Sequence, residues 1–317
     1  MFSSYSYLHI LLLLVCPIYL LAQPPNEEIG NTINDYTKVL EVDNANTAIR
    51  VASSFNFDDC DKVLLIQMKG LEINLENSAD FGKVLNYGDA GNYEFNVIDS
   101  IQDDWVYFEN PIERSYTIDQ LVQLIRVPVY PFPTVVTETL SCKPWDGATG
   151  GVLAFECKSS LLLNENIDVS AQGFQSYGLV PADDDCTALE YYYGTNSGQG
   201  ARKGEGAADL PDSHSRGRGA NANGGGGGNM HNSGGGGGGN FGGGGMGGYE
   251  WEYCADIDNS PNGGEGARKL NYSNTENKIF MGGAGGTGHS NNEVGAIGGN
   301  GGGIIIIKSP EIIGGGG

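Results

Sequence analysis

Basic side chains are scarce in this chain. Lysine and arginine number 17 against 39 aspartates and glutamates, for a formal charge of −22. Nucleic acid is therefore a poor partner, because phosphate binding needs a basic face. Arg216-Gly-Arg218-Gly reads as two solvated arginines in a turn, not as an RNA-binding repeat. Long apolar runs are also lacking. The longest, residues 8–21, falls short of the roughly 20 residues that span a bilayer. It ends in Ala22-Gln23-Pro24-Pro25, the layout of a secretory signal peptide over residues 1–22, although residues 1–9 carry no lysine or arginine. The mature chain is thus expected to be secreted or displayed at the outer cell surface, with no transmembrane segment.

Signatures of cofactor and metal chemistry are missing too. No CxxC, Cys-His pair, Walker A motif or GxSxG elbow occurs. Gly283-Ala-Gly285-Gly286-Thr-Gly288 fits GxGxxG, but 52 glycines make chance matches inevitable, and no βαβ context surrounds it. Histidines 214, 231 and 289 have no ligand spacing. Asp183, Asp184 and Asp185 read as a solvated charge run rather than a calcium site. No cofactor, metal or catalytic residue is expected. Many carboxylates are present, yet nothing singles out two as a glycosidase pair.

What is present divides the chain. Residues 1–193 hold 10 glycines and residues 194–317 hold 42. The first part is acidic and reads as β. Runs around residues 62–68, 104–109 and 120–127 are rich in β-branched and aromatic residues, bounded by Gly, Pro, Asn and Asp. Short, evenly spaced strands over residues 26–133 suggest a sandwich-like domain. Residues 134–193 then open a β-scaffold. Gly150-Gly151-Val-Leu-Ala-Phe155, a polar corner and Leu161-Leu-Leu163 share a template with Gly302-Gly303-Ile-Ile-Ile-Ile307, a corner and Ile312-Ile313. That rhythm suits stacked solenoid coils, although central strands of an ordinary sheet are the alternative. Ile167-Asp-Val169 adds a further short strand. On this reading residues 194–303 are an insertion, and residues 304–317 are a returning strand and the start of another glycine motif.

The insertion lacks the marks of a linker. Flexible linkers are Gly/Ser-rich or charged. Residues 219–249 contain one serine, Ser233, with no proline and no charge. Asn229-Met230 and Asn240-Phe241 each follow five or six glycines, eleven residues apart. Glycine blocks can form polyproline-II-like helices, three residues per turn, that bond laterally to one another. A polyglycine-II-type bundle is expected, with Asn at block ends satisfying backbone groups. Gly200-Ala-Arg-Lys203 precedes the tract and Gly266-Ala-Arg-Lys269 follows it. The signal removed, five cysteines remain. Cys186 and Cys254 flank the tract, and Cys142 and Cys157 flank residues 145–151, so both are candidate disulfides, and the odd fifth thiol is left over or pairs elsewhere.

"LLIQMKG", "QLIRVPVY", "WDGATGGVLAFE", "ENIDVSAQGF", "RGRGANANGGGGGNMHNSGGGGG" and "GGNGGGIIIIKS" together resemble the N-terminal region of large secreted, adhesin-like surface proteins of Bacteroidota. Such proteins end in gliding-motility-associated or type IX secretion sorting domains. The resemblance covers about residues 55–313 and implies export, surface placement and a C-terminal sorting region beyond this chain. More loosely, the glycine tract is similar to the glycine-rich domain of anaplastic-lymphoma-type receptors and to polyglycine phage tail-tip adhesins.

The expected whole is an all-β, non-catalytic adhesion or recognition module. Its ligand would be a surface polysaccharide or protein, met by Asn229, Met230, His231, Asn240, Phe241, Tyr249 and Trp251; packing the bundle is the alternative role of these residues. A secreted carbohydrate-active solenoid enzyme and an ice-binding bundle are the rival readings.

Overall fold

The computed structural model describes residues 26–183, 186–255, 263–271, 277–292 and 294–315. The signal segment 1–22, Asp184 and Asp185 lie outside the described residues. The chain is all-β, and it has three parts that share one core.

The acidic part is a closed barrel. β2 (Tyr36–Val42), β3 (Ala48–Val51), β4 (Lys62–Gln67), β7 (Tyr93–Gln102), β8 (Trp105–Phe108) and β9 (Val122–Arg126) join in the order β2-β3-β8-β7-β4-β9. All neighbours are antiparallel, and β2 pairs with both β3 and β9, which closes the ring. A short ribbon of β5 (Glu72–Ile73) and β6 (Val84–Asn86) projects from it. The sandwich anticipated for this region is therefore corrected to a barrel. Register shifts at Val39/Glu41 and Ile98/Ser100 bend the strands, and bending lets a small sheet meet itself.

Strand β4 shows why its sequence runs apolar without alternation. Val63 and Leu65 fill the barrel with Val39, Ile49, Ile98 and Leu124. Leu64 and Ile66 point the other way, into a cluster with Trp145, Phe174, Leu270, Phe280 and Met281. Both faces are buried, as in the interior strands of layered sheets.

The scaffold is a three-rung parallel solenoid. Each rung is a strand, a corner and a strand: β10 (Val129–Tyr130) with β11 (Thr134–Ser141), β12 (Val152–Cys157) with β13 (Ser160–Leu163), and β14 (Ile304–Lys308) with β15 (Glu311–Gly314). β10-β12-β14 form one parallel sheet and β11-β13-β15 the other, with β1 (Glu27–Thr32) added beside β11. The two copies of the glycine-pair template lie directly on one another. Val152 pairs with Ile304, Phe155 with Ile307, and Leu161 with Ile312. Gly150 and Gly151 enter β12 at φ +103° and +74°, a turn open to glycine. Ile167 makes a single parallel bridge to Leu140 instead of a further strand.

Everything between β13 and β14 leaves the second rung and returns as the third. Among the described residues its glycine blocks form seven laterally bonded segments: 200–206, 223–229, 233–240, 242–248, 263–270, 281–289 and 295–303. Their hydrogen bonds advance by three residues. Gly283, Gly286 and His289 donate to Gly239, Gly236 and Ser233; Gly264, Ala267 and Leu270 donate to Gly234, Gly237 and Asn240. Three residues per turn with lateral bonding is polyglycine-II packing. Segments 242–248, 233–240, 281–289 and 295–303 make one layer; 263–270, 223–229 and 200–206 make the layer beneath.

Side chains are excluded here by contact. A Cβ on Gly226, Gly283 or Gly286 would sit 1.8, 1.7 or 2.0 Å from a neighbouring carbonyl oxygen. Those positions hold Cα hydrogens facing carbonyls, a weak attraction repeated many times. Nothing lies within 4 Å of a Cβ on Gly242, Gly245, Gly248, Gly299 or Gly302, the outward ridge of the outer layer.

Candidate functional site

The bundle has two ends. At one, Leu270, Phe280 and Met281 join the core shared with the barrel. The opposite, distal end carries the turn 230–232, the chain after residue 248 and the turn after residue 289. The Cys186–Cys254 disulfide forms there, across a sequence separation of 68, and packs with Met230, Ala188 and Tyr193. The expected bridge between Cys142 and Cys157 does not form; both are buried free thiols. Cys142 follows the end of β11, whereas Cys157 pairs with Tyr130 before β11 begins, so a whole strand separates them. Burial pushes the Cys142 thiol up to about 11, as expected of an unreactive core cysteine. Cys60 is free and exposed.

The seven anticipated contact residues divide by end and by burial. Asn229 and Met230 are fully buried at the distal end. Asn229 Nδ2 donates to the Ala188 and Glu190 carbonyls, both at 2.8 Å, so it caps the block and ties down the preceding loop. Asn240 does the same job at the proximal end, donating to the Phe280 carbonyl at 2.9 Å. Phe241 is exposed beside it, at the far end of the bundle from the others. His231 and Trp251 come together distally, and Tyr249 lies two residues before Trp251 in the chain.

That distal cluster is an aromatic ridge. The His231 and Trp251 ring centroids are 4.9 Å apart, and Trp251 and Tyr253 are 4.6 Å apart. The Trp251 backbone N–H donates to the His231 carbonyl at 2.8 Å, which fixes the ridge to the glycine turn. A short helix, Glu252–Ala255, then delivers Cys254 to its bridge. Behind His231, Asn291 Nδ2 lies 3.1 Å from His231 Nε2, and the His289 ring stacks at 6.5 Å. Tyr249 is 72% exposed, Tyr253 67% and Trp251 45%, with Val294 and Ile297 open nearby. Tyr253 was not singled out by the sequence, nor were Val294, Ile297 and Asn291. Only the return of the chain after residue 289 brings those three to this end.

A second feature escaped the sequence. Lys203 is completely buried, and its ammonium donates to the carbonyls of Tyr191, Gly217 and Gly219 at 2.6, 3.0 and 2.6 Å. The Phe81 ring lies 4.5 Å away. Burial draws its pKa well below the ordinary lysine value, and the Glu265 carboxylate works against that. Three acceptors match the three hydrogens of an ammonium, so the geometry suits the charged form. In the other GARK copy, Arg268 donates to the Phe81 and Ala79 carbonyls and pairs with Glu265. The repeated motif was the available signal: each copy brings a cation to Phe81 of the β5–β6 loop, Lys203 over its ring and Arg268 to its carbonyl.

Among the described residues no group of three His, Cys, Asp or Glu is placed to hold a metal, and no helix is long and apolar enough to cross a membrane. No family model matches the chain, and no curated protein matches it. Among solved structures it is similar to the crystal structure of the tailspike protein gp49 from Pseudomonas phage LKA1. The identity is 9%, the TM-score 0.21, and the match covers 44% of this chain and 23% of the tailspike. The match thus takes in under a quarter of the tailspike's own length.

Proposed function

We propose that the chain is a non-catalytic recognition module of a secreted or cell-surface protein, and that it binds a surface polysaccharide or protein through its distal aromatic ridge. The observation that carries this reading is the exposure of Tyr249, Trp251 and Tyr253 on a disulfide-locked turn at the free end of a hydrogen-bonded bundle. Large amphipathic rings on a rigid support bind with little loss of conformational freedom, and Trp and Tyr dominate binding hot spots. The broad outer layer presents bare glycine at 242, 245, 248, 299 and 302, so side-chain recognition concentrates at the tip. The disulfide agrees with an oxidising destination.

The test is adhesion of purified protein to glycan arrays and to whole cells. The double variant Tyr249→Ala/Trp251→Ala is expected to lose at least tenfold in retention with an unchanged melting temperature. Equal retention by that variant, or turnover of a polysaccharide by the wild type, would overturn the proposal.

A further inference from the structure

Away from the tip, a cavity of about 250 Å³ opens between the barrel and the bundle. Several cations surround it, and all but one are committed. Lys69 pairs with Glu205 at 2.8 Å. Lys203 is spent on its three carbonyls. The Arg216 guanidinium, just behind, donates to the carbonyls of Gly200, Ser197 and Pro181. Arg202 is the exception. Its guanidinium lies 5.5 Å over the Tyr177 ring, and no hydrogen bond or ion pair engages it among the described residues. It lines the cavity, half-buried, beside a second guanidinium whose pKa is lowered by burial and then by Arg202 itself.

The remaining lining is hydroxylic and amide. Thr195 Oγ1 and Ser215 Oγ sit 2.8 Å apart. Asn221, 5% exposed, is among the lining residues, and its buried Oδ1 has no hydrogen-bond partner among the described residues. Asp209 and Asp212 stand exposed at the rim.

We propose that this cavity binds one carboxylated sugar residue, of the hexuronate kind. The planar fork of Arg202 suits a carboxylate held by two parallel bonds, and stacking on Tyr177 preorganises it. Asn221 Oδ1 needs a donor, which a sugar hydroxyl supplies; an unsatisfied buried acceptor is costly. The Thr195 and Ser215 hydroxyls, whose protons go to the Asp212 carbonyl or to each other, accept from further sugar hydroxyls. The two rim carboxylates accept from hydroxyls but repel a second negative charge, which selects against a dianionic phosphate. This inference does not depend on the tip, and either can fail alone.

Ligand-observed NMR and calorimetry on the full chain test it, with glucuronate, glucose, acetate and N-acetylglycine as probes. Glucuronate is expected to bind at least tenfold more tightly than each of the others. Arg202→Ala should weaken glucuronate at least tenfold with the melting temperature held, because that side chain makes no hydrogen bond the fold needs. Trp251→Ala should leave glucuronate binding unchanged. The inference is overturned by no glucuronate binding, by glucose or acetate binding equally well, by N-acetylglycine doing so, or by Arg202→Ala having no effect. Should Arg202→Ala fail to fold, the Asn221 side-chain amide resonances of the wild type decide. They shift with glucuronate if the site is right and stay fixed if it is wrong.

Discussion

The Arg218 carbonyl oxygen lies 1.8 Å from where a Cβ on Gly226 would stand. Neither group can retreat. Gly226 donates to Glu265, which in turn donates to Arg218, so the three segments are bonded in a ring.

Alanine at Gly226 must therefore open the lattice. Gly226→Ala is expected to cost more than about 3 kcal/mol, because overpacking against backbone has no rotamer by which to escape. Gly299→Ala meets open space and should cost under about 1 kcal/mol. Thermal denaturation of both variants checks the contrast. Equal losses would mean that the segments do not pack as described.

Lys203→Met keeps an apolar stem against Phe81 and removes the ammonium. The Gly219 carbonyl then loses its donor, and the Tyr191 and Gly217 carbonyls keep one backbone donor each, from Gly219 and Gly227. A loss of about 3 kcal/mol is expected. Amide exchange should quicken first around residues 216–219, which hydrogen-exchange mass spectrometry would localise.

Reduction of Cys186–Cys254 should act at the tip before it acts on the whole. A loop of this length contributes about 4 kcal/mol in the chain-entropy account. Its release frees the Met230 cluster. Faster amide exchange across residues 229–233 and 249–254, with residues 281–289 still protected, is the expected pattern after reductant. Uniform loss of protection would show that the bridge holds the entire bundle.

Glu156 predicts an acid limit. Its carboxylate is buried and bonded to Lys62 of the barrel, to Lys158 at 2.5 Å, and reaches Lys308 of the third rung at 3.4 Å. Burial alone would raise its pKa, but Lys158 and Lys62 outweigh burial and bring it down to about 2. With the folded value depressed, the unfolded chain binds the proton first. The stabilisation is full at neutral pH and is lost as pH falls from about 4.5 toward 2. Glu156→Gln should cost about 2 kcal/mol at pH 7, and the difference from wild type should vanish near pH 2. Urea titrations at the two pH values would check it.

Much of this fold is readable in the residues themselves. The glycine-pair template placed β12 against β14, because two identical rungs bury identical faces. Sparse serine and absent charge distinguished the tract from a linker, since only a bonded lattice tolerates so much bare backbone. The barrel was not readable, because closure depends on where strands bend, and bulges leave no residue signature here. Burial of Met230 was equally hidden. An apolar residue after a glycine block looks the same whether it meets solvent or a disulfide. Phe241 and Trp251 looked alike in the sequence, and only the up-and-down course of the segments sends them to opposite ends.

That course has an evolutionary corollary. Each glycine segment bonds to its neighbours once per three residues, so a deletion or insertion of three residues preserves every lateral partner, whereas one or two residues scramble them all. One added turn in each of two adjoining segments carries the tip about 9 Å further from the scaffold. The stalk is then a graduated ruler. Its reach can be lengthened or shortened in whole steps while the solenoid rungs below keep their register, and related chains should differ in tract length by multiples of three.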